Sequence, residues 1–242
     1  MSGEPVTHPT GEDAERVRQF FDHWQLYQKV AGLNYLHHRE AYAALARALD
    51  ERKSPFRFLD LGAGDAAWTS RVLEGRPVTR YEAVDLSPVA LDLARKNFVR
   101  CACESVFTVG DFCEVLRTGT AKEDVIYVGL SFHHLPLPDK ERMFPIIRER
   151  LAEGGCFICY EPVNGPGESR SEVLSRWWRM VLAEWTELTP AELEAVQDHV
   201  FGNDYPESCE TYARLARQAG FAEMRILYRD PPALYAVMEC RV

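Results

Sequence analysis

The chain has 242 residues, 46% of them hydrophobic, and a net charge of −9 from 37 acidic and 28 basic side chains. That length suits one domain with a core large enough to need no staples, and the acidic balance, with no basic run to offset it locally, argues against an RNA or DNA partner. No apolar stretch approaches the roughly 20 residues that span a bilayer, and the seven cysteines, scattered through apparent strands and helices, suit a reducing, cytoplasmic setting.

Residues 1–14 are polar and acidic, unlike a signal peptide, and read as a disordered lead-in. A helical pattern runs from about Glu12 to Ala31, with Phe20, Trp24, Tyr27 and Ala31 on one face. A second helix is expected from about His38 to Glu51, turning Tyr42, Leu45 and Leu49 inward. The join between them is rich in aromatic and imidazole groups.

An apolar run through Phe56, Phe58, Leu59 and Leu61 then leads into Gly62-Ala63-Gly64-Asp65. The pattern is a buried strand, a glycine loop that lets a ligand lie against bare peptide, and a helix from about Ala66 to Leu73. Two families build such a loop. Gly62, Gly64 and Ala67 fit the G-x-G-x-x-G/A fingerprint of dinucleotide enzymes, and Asp85 follows at about the distance of a ribose carboxylate. Asp60 and Asp65 flank the glycines, however. Carboxylates repel a doubly anionic pyrophosphate and attract a cationic sulfonium bearing an α-amino group. Asp60-Leu-Gly-Ala-Gly-Asp65 resembles the first motif of class I S-adenosylmethionine-dependent methyltransferases. The resemblance implies cofactor contacts from Asp60, Gly62, Ala63, Gly64 and Asp65.

The second strand, Tyr81 to Asp85, runs into Leu86-Ser87-Pro88, where Ser87 is a good N-cap and Pro88 a good first helical residue. By the resemblance, Asp85 accepts the ribose hydroxyls, with Leu86 beside it. A third strand, Val106 to Gly110, ends in Asp111-Phe112. This pair resembles the family's adenine motif, a carboxylate for the exocyclic amine and an aromatic ring flanking the base. The fourth strand, Asp124 to Ser131, is a continuous buried run. It ends in Phe132-His133-His134-Leu135-Pro136, which resembles the family's fourth motif, where the methyl group meets its acceptor. Ser131 joins the cofactor set there. His133 and His134 are the candidate catalytic bases, because histidine exchanges a proton near neutral pH; such a strand end also packs a histidine against the cofactor without proton transfer. A helix is expected from about Asp139 to Leu151, with Pro145 inside it and Gly154-Gly155 ending it. The fifth strand, Cys156 to Tyr160, leads to Glu161, a second candidate base or a partner for a cationic acceptor. Cys156 and Cys159 have redox-motif spacing but lie inside this apolar strand and read as buried small residues.

From 163 to 206 the pattern changes. Leu174, Trp178, Val181, Leu182 and Trp185 form an apolar helical stripe, and Thr189-Pro190-Ala191-Glu192 is a capping box opening another helix. His199 and the segment from Asn203 to Glu207 fit either a pocket wall or a polar loop. After a helix from about Ser208 to Ala219, Met224–Asp230 and Ala233–Cys240 read as strands joined only by Pro231-Pro232, a link so short that they pair antiparallel. The methyltransferases it resembles end their parallel sheet with such a hairpin, and their N-terminal helices pack over the cofactor.

The expected fold is therefore α/β, a doubly wound, mostly parallel seven-stranded Rossmann-like sheet ending in an antiparallel hairpin. One domain is expected over 15–242, with 15–52 a helical cover and 163–206 an inserted lid. Tyr27, Tyr35, His38, Glu161 and Trp178 are the substrate-side candidates; helix packing accounts for the first three equally well. The resemblance implies methyl transfer from S-adenosylmethionine to a small molecule. No metal, nucleic acid or membrane partner is expected, and a dimer is left open. The alternatives are an NAD(P)-dependent oxidoreductase and a non-catalytic S-adenosylmethionine-binding interaction protein.

Overall fold

The computed structural model describes residues 24–242. The expected lead-in over 1–14 and the Phe20 end of the first helix lie outside the described residues. The chain divides into two units, one up to His38 and one spanning Arg39–Val242. In the first, residues 24–32 are helical (α1) and 33–36 form a turn.

The second unit is an alternation of strands and helices. After α2 (His38–Asp50) come β1 (Phe56–Leu61), α3 (Ala67–Leu73), β2 (Val78–Asp85), α4 (Pro88–Asn97), β3 (Glu104–Val109), α5 (Phe112–Thr118), β4 (Glu123–Gly129), α6 (Leu137–Arg150) and β5 (Leu151–Pro162). An insert, α7 (Arg170–Glu184) and α8 (Pro190–Asn203), is followed by α9 (Cys209–Gln218) and the hairpin strands β6 (Glu223–Arg229) and β7 (Tyr235–Arg241). The seven strands form one sheet in the order β3-β2-β1-β4-β5-β7-β6. The first five pair in parallel, and β7 lies antiparallel between β5 and β6, as the short proline link requires.

Alternate residues of the central strands face opposite helical layers, which is why these strands are apolar throughout. Leu59, Leu61, Ile126, Val128 and Phe157 join a cluster with Leu116 of α5, Phe144 of α6 and Tyr212 of α9. Phe58, Tyr81 and Tyr127 face the other way. There Tyr81 stacks on Phe98 at 3.7 Å, and Tyr42 of α2 meets Tyr127 at 6.0 Å. Each such buried ring contributes about 1.5–3 kcal/mol.

One boundary and one helix face depart from the sequence pattern. Gly154 and Gly155 do not end a helix; α6 stops at Arg150 and both glycines lie inside β5. Gly154 has φ +69°, and the β4–β5 register shifts between Glu123 and Val125, so the glycines make a bulge rather than a helix stop. The face of α7 also rotates. Its buried residues are Val173, Leu174, Trp177 and Val181, while Leu182 is 59% exposed. The sequence stripe has Trp178 on this face. Trp177 is the one drawn inward, because its Nε1 donates to the Tyr235 hydroxyl at 2.6 Å. Trp178 is half-buried and meets Phe201 of α8 edge-on at 6.4 Å.

Candidate active site

The carboxyl ends of β1, β2 and β3 form the first half of the rim. Gly62 follows β1 with φ +65°, and a side chain there would bring its Cβ within 2.6 Å of the Ser131 Cβ and closer still to its Oγ. Only glycine allows the loops after β1 and β4 to approach so closely. Several of the loop's own donors are already engaged. The Gly62 and Ala63 N–H groups donate to the Val84 carbonyl at 2.8 and 3.1 Å, and that of Gly64 donates to Asp85 Oδ2 at 2.8 Å. The Ala67 N–H, at the start of the seven-residue α3, donates to Asp65 Oδ1 at 3.0 Å. With these donors engaged and carboxylates beside them, the loop offers a pyrophosphate few open N–H groups, which weighs against the dinucleotide alternative.

The carboxylates behave differently from one another. Asp60 is turned into the core, 1% exposed, where it accepts from the Tyr81 hydroxyl at 2.9 Å. Burial pushes its pKa up to about 7, against the opposing hydrogen bonds of Tyr81 and Thr69. It therefore sits beneath the loop instead of facing a ligand. Asp85 stays at the rim, its Oδ1 accepting from the Ser87 N–H at 2.8 Å while Oδ2 holds Gly64. A carboxylate has about four acceptor positions, so two backbone donors orient it and leave capacity for a ligand. Beside it, Leu86 is 74% exposed and Val109, paired with Asp85 across β2–β3, is 54% exposed. Asp111 caps α5 by accepting from the Cys113 N–H at 2.8 Å, and the Phe112 ring packs 6.4 Å from Phe132.

The second half of the rim is the turn after β4. Leu130 has φ +52°, a conformation a branched side chain rarely adopts, and the turn is held from below by Glu161 of β5. That carboxylate is fully buried and accepts from the Ser131, Phe132 and His133 N–H groups at 3.3, 3.0 and 3.0 Å. It also lies 2.6 Å from His133 Nδ1. Glu161 is thus the post on which the histidine turn is mounted, below the face that an acceptor would approach.

One further carboxylate joins this group, from the Asn203–Glu207 segment that the sequence leaves open between pocket wall and polar loop. Asp204 caps the end of α8, where its carbonyl accepts from Arg170 Nε at 2.6 Å. The next N–H, of Tyr205, donates to the His133 carbonyl at 2.8 Å, and the buried Lys140 donates to the Tyr205 carbonyl. Burial brings the Lys140 pKa down to about 8, despite the nearby carboxylates of Glu207, Glu161 and Asp204. These bonds seat Asp204 Oδ1 3.5 Å from His133 Nε2 and 3.3 Å from His134 Nδ1. Burial pulls the His134 pKa down, but the Asp204 carboxylate outweighs it and leaves it above the ordinary value. For Asp204 burial acts upward, and the three imidazoles of His134, His133 and His199 outweigh it and hold the carboxyl low. His199 of α8 stands edge-on to His134 at 5.4 Å.

The end of the insert thus reaches the histidine turn, while Trp177 ties α7 to β7. Of the substrate-side candidates, Tyr27 pairs with His38 inside the first unit, hydroxyl to Nε2 at 3.0 Å. His38 is 1% exposed, and burial brings its pKa down to about 4. Tyr35 is half-buried.

Residues 58–155 match the family described as a methyltransferase domain. Release factor glutamine methyltransferase of Escherichia coli is 31% identical over 105 residues, 43% of this chain and 35% of that enzyme. Its counterpart from Vibrio cholerae is 28% identical over 57% of this chain and 48% of its own length, so the chain spans half or less of the curated relatives it matches. Magnesium protoporphyrin IX methyltransferase of Synechocystis superposes with a TM-score of 0.62 at 14% identity, over 94% of this chain and 98% of that one. Human N-acetylserotonin methyltransferase superposes with a TM-score of 0.58 at 17% identity, over 90% and 54% of the two chains.

Proposed function

We propose, from the match of residues 58–155 to the methyltransferase-domain family and from the fold shared with such enzymes, that the chain transfers a methyl group from S-adenosylmethionine to a small-molecule acceptor. The observation that carries this reading is the rim carboxylate Asp85. Two backbone N–H groups at 2.8 Å aim it beside a glycine loop whose Gly62 and Ala63 N–H groups are engaged by the Val84 carbonyl. A ligand that brings hydroxyls and positive charge fits that arrangement, and one that brings phosphates does not. The exposed Leu86 and Val109 beside it suit a flat apolar ring such as adenine.

When bound, S-adenosylmethionine supplies an electrophilic methyl group for in-line displacement. Asp85 would accept from the ribose, Asp111 from the adenine amine, and Phe112 would flank the base. Gly62, Gly64, Asp65 and Ser131 would shape the cleft between β1 and β4, the point at which the strand order reverses and where open α/β sheets bind ligands. His134, the exposed member of its pair, would meet the acceptor, and His133 would support it from beneath. The chain's task is chiefly alignment and exclusion of water. The insert 163–206 is proposed as a cover that makes the site dry.

A small acceptor is favoured over nucleic acid by the charge of −9. The names of the two structural neighbours, one acting on a porphyrin and one on N-acetylserotonin, also support it. The seven free thiols support a reducing compartment, and no described helix is long and apolar enough to cross a membrane. Whether the chain dimerises is read by light scattering.

Calorimetry tests the assignment. S-adenosylmethionine should bind and NADH should not, and Asp85→Ala should weaken binding by about 1.5–3 kcal/mol with unchanged far-ultraviolet circular dichroism. Unchanged affinity in that variant would place the ribose elsewhere. A labelled-methyl screen of metabolites against release-factor peptides then separates small acceptors from protein ones.

A further inference from the structure

We propose that His133 Nε2, His134 and Asp204 Oδ1 form a binding site for one transition-metal dication of the Zn(II) type. Their donor atoms lie within 4.8 Å of one another. The two measured edges, 3.5 Å from His133 and 3.3 Å from His134 to the same carboxylate oxygen, are close to the separation of about 3.4 Å between ligand atoms around a tetrahedral Zn(II) with bonds near 2.1 Å. Both exceed the ~2.7–2.9 Å of a direct charged hydrogen bond. Asp204 Oδ1 is buried and accepts no well-aligned hydrogen bond, although two imidazoles face it; His134 Nδ1, 3.3 Å away, lies equally near the Asn203 carbonyl at 3.4 Å.

The outer shell points the same way. His133 Nδ1 is held at 2.6 Å by Glu161, a fully buried carboxylate whose neighbouring donors are backbone N–H groups. That contact places the ring proton on Nδ1 and turns the Nε2 lone pair toward Asp204. A carboxylate behind a histidine, fixing its tautomer, is the usual support of a metal-bound imidazole. Without a cation, a lone pair faces a carboxylate oxygen. One proton on His134 relieves only one of the two edges. Protonating both rings places two positive charges on rings 4.1 Å apart, beside the Lys140 ammonium. A single dication satisfies all three donors at once. Two imidazoles and one carboxylate suit Zn(II), Ni(II) or Cu(II) rather than Mg(II), and three protein ligands leave a position open for water or an acceptor oxygen on the side where His134 is exposed. The inference stands independently of the methyl-transfer reading, since the site is defined by its donors alone.

The test is a titration of chelator-stripped full-length protein with Co(II) alone, followed by competition with Zn(II). One equivalent should bind per chain. It should give the visible bands of tetrahedral cobalt with nitrogen and oxygen ligands and no thiolate charge-transfer band. Asp204→Asn and His134→Ala should each weaken binding at least tenfold; His134 is exposed enough for its truncation to leave the fold intact, which circular dichroism checks. The Cys101→Ser, Cys103→Ser double variant should bind as the parent does. No saturable uptake, a thiolate spectrum, or affinity unchanged by Asp204→Asn would each overturn the site. An imidazole shown by nitrogen NMR to be doubly protonated at both His133 and His134 in the stripped protein, with no cobalt uptake, would assign the gap to protons instead.

Discussion

The two halves of the rim use carboxylates in opposite ways. After β2 and β3, Asp85 and Asp111 are held by backbone N–H groups a few residues away or in the facing loop, which orient each acid and leave its remaining lone pairs toward the open side. Beneath and beside the β4 turn, Glu161 and Asp204 meet imidazoles brought in from other elements. An acid satisfied by N–H donors is a ready acceptor for a ligand. An acid facing imidazole nitrogens is either a support, as Glu161 is, or one wall of a cation site.

Truncating the two kinds should therefore read differently. Glu161→Ala should lower the free energy of unfolding by about 3–5 kcal/mol, because it leaves the buried Phe132 and His133 N–H groups unpaired. Asp85→Ala should change stability by less than about 1 kcal/mol and act on cofactor affinity instead. Urea unfolding of the two variants makes the comparison, and similar losses in both would erase the distinction.

The next effect concerns the seam between the halves. Gly62→Ala imposes a side chain at φ +65° against Ser131 and should cost about 2–3 kcal/mol. Adding Ser131→Gly removes the steric part and leaves the backbone part, so the pair should be distinctly non-additive. Additive costs would mean that the two loops do not meet at these residues.

A smaller effect lies under the first half. Burial raises the folded Asp60 pKa to about 7, above its unfolded value, so the fold favours the neutral acid. The sign follows: stability from this group is full below about pH 4 and is lost as pH rises toward and through 7, with a slope of at most about 1.4 kcal/mol per pH unit. Asp60→Asn keeps a neutral partner for Tyr81 and should flatten that slope. Thermal or urea unfolding between pH 5 and 8 checks it, and identical slopes in the two proteins would show that Asp60 is ionised in the fold.

Much of the first half was legible in the chain, because its determinants are local. The Phe56–Leu61 run, the Gly62–Gly64 turn and the Ser87 cap before Pro88 all lie within a few residues of what they satisfy, and each appears where its spacing places it. The antiparallel ending followed from the length of one proline link. What the sequence left undecided or misplaced required a partner distant along the chain. Helical periodicity places Trp178 on the inward stripe; the Tyr235 hydroxyl draws Trp177 there instead. Asp60 reads as a loop charge, yet Tyr81 on the neighbouring strand draws it inward. Glu161 stands at a strand end like Asp85, and only the inward bend of the β4 turn places it under His133. Asp204, in a segment left open between pocket wall and polar loop, becomes part of a site because Arg170, Lys140 and the Tyr205 backbone seat it there. Local chemistry determined the loop and its caps; the direction each buried carboxylate faces was decided by sheet register and by the returning insert.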